Sequence, residues 1–176
     1  MEDDEPLIVA KMIDFLYGLD YDDHRSEGRP SVKGDNPDET PTEYESANAD
    51  QPTGQNPYSL LINAKAYIIA DKYDIQALKE WAVTKYKEVL PTTWNSTAFT
   101  ESARLIYDST LDNDRMLREV IIRKASENVK VLFDRGEFID LLQSHGDFAM
   151  EVLRSVVFDS EPRQEAQAAI KNAFVW

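Results

Sequence analysis

The chain contains no cysteine at all. That absence excludes a disulfide framework, a thiol nucleophile and any cysteine-ligated metal site, and it fits a reducing compartment. Histidine is nearly as scarce. With only His24 and His145 present, the sequence lacks the ligands of a zinc centre, and each histidine reads as a surface or capping residue. Glycine is sparse too: the six glycines are scattered, and none forms a phosphate-cradling loop. No serine stands in a nucleophile-elbow pattern. No apolar run approaches the roughly 20 residues that cross a bilayer.

Positive charge is also in short supply. There are 19 Lys and Arg against 33 Asp and Glu, a net charge of −14. Such a chain repels nucleic-acid phosphates and anionic lipid surfaces, so neither is an expected partner. Met1-Glu2-Asp3-Asp4-Glu5 has neither the basic start of a secretory signal nor the arginines of a mitochondrial presequence. The expected location is therefore the cytoplasm or nucleus.

Hydrophobic residues make up 42% of the chain, enough to bury a core. They are unevenly placed. Residues 22–59 hold nine acids, three bases and five of the eight prolines. Their sizeable apolar side chains are Val32, Tyr44 and Tyr58. Such a stretch buries too little surface to offset its ordering entropy and reads as a disordered acidic insertion. Within it, Thr40, Thr42, Tyr44 and Ser46 stand among acids, a context that acid-directed kinases accept.

Both flanks read as helix. Pro6 suits a first helical position, with acids just ahead of it at the positive end of the helix dipole. Val9, Met12, Ile13, Leu16 and Tyr17 follow at 3.6-residue spacing. Gly18 is expected to end this helix, and Leu19-Asp20-Tyr21 to form one short strand. After the insertion, Leu61, Ala64, Tyr67, Ile68 and Ala70 mark a second helix. A turn at 71–74 follows, with Asp74 expected to cap a third helix carrying Ile75, Leu78, Ala82 and Tyr86 and stopped by Pro91. The pair makes a helical hairpin.

The pattern stays helical to the end. Phe99, Ala103, Ile106 and Tyr107 form one stripe. Asp112 is the expected cap of the next, which carries Leu117, Val120, Ile121 and Lys124. Short segments follow at Val129-Leu132-Phe133 and at Phe138, Ile139, Leu141 and Leu142. Phe148, Val152, Leu153 and Val156 form a further stripe after Gly146. Ser160-Glu161-Pro162 signals one more helix start, continued by Ala166, Ile170 and Phe174.

Two blocks resemble a known family. Leu7 to Tyr17, ending in Asp20-Tyr21, looks like the third helix and following strand of a BTB/POZ domain. The run Ala64-Lys65-Ala66-Tyr67-Ile68-Ile69-Ala70-Asp71-Lys72-Tyr73-Asp74-Ile75-Gln76-Ala77-Leu78-Lys79 looks like that domain's closing helical hairpin. An acidic insertion between such blocks is typical of the fungal members. Ala103-Arg104-Leu105-Ile106-Tyr107 and Gly146-Asp147-Phe148-Ala149 resemble the helical extension those members carry.

The resemblance implies a mostly α chain with four parts. Residues 1–21 are the helix and strand of the core, 22–59 the insertion, 60–91 the hairpin, and 92–176 the extension. The elements preceding the third helix in that core, including its main sheet, have no counterpart here. The resemblance further implies a protein–protein interaction module whose partners are other proteins, a BTB/POZ domain or a cullin, with an adaptor role in ubiquitin ligation. The alternative is a truncated structural fragment without activity of its own.

No catalytic residues are expected. Paired carboxylates such as Glu2-Asp3-Asp4-Glu5 and Asp22-Asp23 sit on a terminus and in the insertion, where they read as solvated charge, not as a glycosidase pair on a rigid frame. Asp108–Asp114 lacks the central glycine of a calcium loop. No cofactor and no metal are implied. The candidate binding residues are Met12, Phe15, Leu16, Tyr67 and Ile68, whose face the absent core elements leave uncovered. An open apolar patch of that kind marks a binding surface.

Overall fold

A computed structural model describes residues 4–23 and 56–158. The described residues form eight helices and no strand, so the chain is mostly α. The helices are α1 (Pro6–Gly18), α2 (Tyr58–Lys72), α3 (Gln76–Thr93), α4 (Thr97–Ser109), α5 (Met116–Glu127), α6 (Val129–Leu132), α7 (Gly136–Ser144) and α8 (Gly146–Phe158). None is long and apolar enough to cross a membrane. Met1 to Asp3, most of the acidic insertion with His24 and its four candidate phosphorylation sites, and the segment from Ser160 to Phe174 lie outside the described residues.

Helix α2 is the organising element. Leu60, Ile62, Ala64, Ala66, Tyr67 and Ala70 are all buried, so the helix is covered on more than one side. It packs against α1, α3 and α4. A helix apolar around most of its girth belongs in a core. α1 lies on α2 through Ile8, Met12 and Phe15, and its start is fastened by charge: Lys72 reaches Asp4 at 2.7 Å and Lys65 reaches Glu5 at 2.5 Å. The acids ahead of Pro6 therefore grip the neighbouring helix.

The extension builds on the same core. α4 packs against α2, α5 and α7, and α8 packs against α5 and α7. Phe99, Ile106, Leu117, Ile121, Phe138 and Phe148 are fully buried, in one cluster continuous with Ile8 and Tyr67. Tyr107, Phe138 and Phe148 meet edge to face, with centroids 5.0 and 6.1 Å apart about the shared Phe148.

The structure corrects four expectations. Leu19-Asp20-Tyr21 is not a strand. Leu19 takes the left-handed conformation (φ 60°), and its N–H caps the Phe15 carbonyl, closing α1 one residue after Gly18. The segment beyond is held by side chains. The Tyr21 hydroxyl donates to Asn63, Asn63 donates to the Asp23 carboxylate, and the Ser59 hydroxyl donates to the Asp23 carbonyl, each at 2.8 Å. Asp23 is thus a buried anchor, and Tyr58 and Ser59 belong to α2.

Pro91 does not stop α3. The helix runs on to Thr93, because only the bond that the Pro91 nitrogen would donate is lost, in a last turn where Thr93 also donates to the Val89 carbonyl at 2.8 Å. Asp74 is no side-chain cap: it adopts φ 55° and turns the backbone between α2 and α3, leaving Ile75 at the cap position. Asp112 does not cap α5 either. Arg115 holds that position, while Asp112 accepts from Arg118 at 3.3 Å.

Candidate interaction surfaces

The five candidate residues are not one open face. Met12 and Phe15 are buried at 4% and 6% exposure, Tyr67 is fully buried, and Ile68 is partly buried against the core. Only Leu16 lies open, at 53%. The uncovered face that the resemblance implied is closed by α1 packing directly on α2. The inward positions of α1 are Ile8, Lys11, Met12 and Phe15, spaced by three and four.

The same spacing turns a second apolar set outward. Ile13, Leu16, Tyr17 and Leu19 are exposed. Tyr17 projects almost wholly into solvent, at 90% exposure. Asp14, Gly18, Asp20 and Asp22 surround them. Asp20 is held below the usual carboxylate range. Burial pushes it up, but the Trp81 indole and the Lys85 ammonium donate to it and outweigh that.

Helix α8 has the same two-faced build. Phe148 and Val152 point inward, while Met150, Leu153, Val157 and Phe158 are exposed. Beside this stripe, α5 and α8 enclose an open groove of about 490 Å³, lined among others by Ile122 and Phe158 and by the guanidinium groups of Arg115, Arg123 and Arg154. In a chain of net charge −14 this face is unusual in carrying three arginines. Arg115 is engaged. It pairs with Glu151 across the groove and with Glu119 at 3.8 Å along its own helix. The Glu151 bond, together with nearby carboxylates, raises the Arg115 pKa further.

Two buried polar clusters hold these helices in place. Arg118, at 2% exposure, donates to the Thr110 carbonyl at 2.8 Å and lies over the Tyr107 ring, 4.3 Å from its centroid. The Tyr107 hydroxyl donates to Glu151, so the chain of contacts runs from α5 through α4 to α8. In the second cluster Tyr67 donates to Asp114, and Lys79 bridges Asp114 at 2.8 Å and Asp71 at 2.6 Å. Burial pushes the Asp114 carboxyl up, but the Lys79 and Tyr67 donors more than offset it and hold it below the usual range. Burial first, then the neighbouring carboxylates, pushes the Tyr67 and Tyr107 phenols well above their ordinary value.

His145 pairs with Asp108 at 2.9 Å and meets the Tyr107 ring edge to face. It joins the α7–α8 turn to α4. Sequence reasoning passed over the groove arginines and set Leu153 among core positions. The available signal was the doubled pattern on α8: Phe148 and Val152 on one side, Met150, Leu153 and Val157 on the other.

Comparison of the chain with models of known protein families, with curated proteins and with solved structures finds no match.

Proposed function

We propose that the chain is a protein–protein interaction module of the BTB/POZ type, an adaptor for cullin-based ubiquitin ligation working in the cytoplasm or nucleus. The observation that supports it is the pair of outward apolar faces, Ile13, Leu16 and Tyr17 on α1 with Leu19 at its cap, and Met150, Leu153, Val157 and Phe158 on α8. Single exposed apolar side chains are ordinary on any protein surface. Groups of large ones on one helix face mark contact sites. The buried clusters around Arg118 and Asp114 fit the same reading, since they fix the helices that present those faces.

Calorimetric titration of the purified chain with a purified cullin tests the adaptor role. Binding that Tyr17→Asp or Leu153→Asp weakens at least roughly tenfold, about 1.4 kcal/mol, supports it. The absence of any binding heat across the accessible concentration range, together with no complex by gel filtration, removes it.

A further inference from the structure

The outward faces of α1 and α8 are alike in shape and opposite in charge. On α1, the exposed Asp14 flanks the stripe formed by Ile13, Leu16 and Tyr17, one turn from Tyr17; Asp20 beyond its end is held by Lys85, and the one base of the helix, Lys11, is buried. On α8, Arg154 stands inside the stripe formed by Met150, Leu153 and Val157, with Arg123 across the groove. Glu119 and Glu151, the acids lining that groove, are both taken by Arg115. Neither Asp14 nor Arg154 has an ion-pair partner among the described residues.

We infer that the acidic apolar face of α1 in one copy of this chain docks onto the arginine-bearing α5–α8 face of a second copy. The inference rests on reading these faces as protein-binding surfaces and names the partner. Both stripes repeat at three- and four-residue spacing, so the two helices pack side by side with Asp14 against Arg154. Tyr17 then enters the groove lined by Ile122 and Phe158.

Charge selects this pairing over the symmetric ones. A chain with net charge −14 repels its own copies. An α1–α1 contact would bring together two faces that each carry Asp14, and an α8–α8 contact two faces that each carry Arg154. Only the unlike faces attract. The contact is therefore head to tail, and where it does not close into a ring each added copy exposes a fresh α1 at one end and a fresh α8 at the other. A handful of side chains on each partner is less than a standard interface of roughly 1,600 Å² contains, so the association is weak and sensitive to salt.

Sedimentation equilibrium of the full chain over rising concentration at low salt tests this. The weight-average mass should climb from 20.1 kDa without levelling at the dimer, and fall back when salt is added. Tyr17→Asp and Leu153→Asp should each hold the chain at monomer mass. Their equimolar mixture should form a one-to-one pair and nothing larger, because only one intact α1 face and one intact groove remain between them. Arg154→Glu alone should also stay monomeric, and combining it with Asp14→Lys in the same chain should restore assembly. Circular dichroism identical to the parent guards against unfolding, and the parent's own concentration series stands without any variant. Monomer mass at every concentration, a plateau at the dimer, or a mixture that stays monomeric overturns the inference. A chain that stays monomeric still leaves the module reading to be judged by its contacts with other proteins in cells.

Discussion

The phenol of Tyr67, buried in the middle of α2, donates to the carboxylate of Asp114, which stands 47 residues further along the chain on the loop ahead of α5. Through Lys79 the same carboxylate also holds α3. One acid thus fastens the helical hairpin to the extension. A hydrogen bond to a charged group contributes about 1.5–3 kcal/mol. Tyr67→Phe should lower the free energy of unfolding by that amount in urea titrations, with the slope unchanged. Asp114→Asn should cost a similar amount, and the double variant should lose less than the two single losses together, because both remove one interaction.

The pH dependence of stability follows from the same carboxylate. Asp114 has a folded pKa below its ordinary 3.8. In the window beneath that ordinary value the unfolded chain binds the proton that the folded chain refuses. Stability is therefore present above the unfolded pKa and lost as pH falls through the folded one, progressively below about pH 5. Asp114→Asn should flatten this acid limb in chemical denaturation measured at stepped pH.

At the alkaline end the tyrosines set the sign. Tyr21, Tyr67, Tyr86 and Tyr107 are buried, and burial raises each phenol above its ordinary value of 10.0. The folded chain keeps those protons while the unfolded chain releases them, so stability falls as pH rises past about 10. Phenolate absorbance should show these four phenols ionising together with loss of helicity.

Arg118 separates packing from charge. Its guanidinium is buried over Tyr107, while its carboxylate partners Asp112 and Asp147 are 95% and 52% exposed. Asp112→Ala removes a solvent-screened pair and should change stability by less than about 0.5 kcal/mol. Arg118→Ala also removes the stack on Tyr107 and the bond to the Thr110 carbonyl, and should cost about 2–4 kcal/mol. Thermal melts of the two variants side by side read the difference.

The helices were legible in the sequence because their apolar positions recur at 3.6-residue spacing, and the hairpin around Ala70-Asp71-Lys72-Tyr73 appears where that pattern placed it. Which face of α1 turns inward was not legible. Leu7-Ile8-Val9, Met12-Ile13 and Phe15-Leu16-Tyr17 make the helix apolar all round, so periodicity fits more than one orientation. Packing on α2 chose Ile8, Met12 and Phe15, and turned Leu16 outward. The expected caps failed for a related reason. Asp74 and Asp112 have suitable side chains in suitable places, but the backbone turn at one and the pull of Arg118 at the other decided their conformations. The arginine-lined groove joins α5 to α8, and no local pattern in either segment announces the other.

The proposed module works through the outward faces of α1 and α8, as contact surfaces for other proteins. The most direct measurement of this places a photo-reactive phenylalanine analogue at Tyr17 in one version of the chain and at Leu153 in another. Both are expressed in cells that make the protein, and the cross-linked species are identified by mass spectrometry. A discrete cross-linked partner is expected from these positions and none from a control analogue at Gln143, an exposed site on α7. Cross-links no more frequent at Tyr17 and Leu153 than at Gln143 would contradict the proposal.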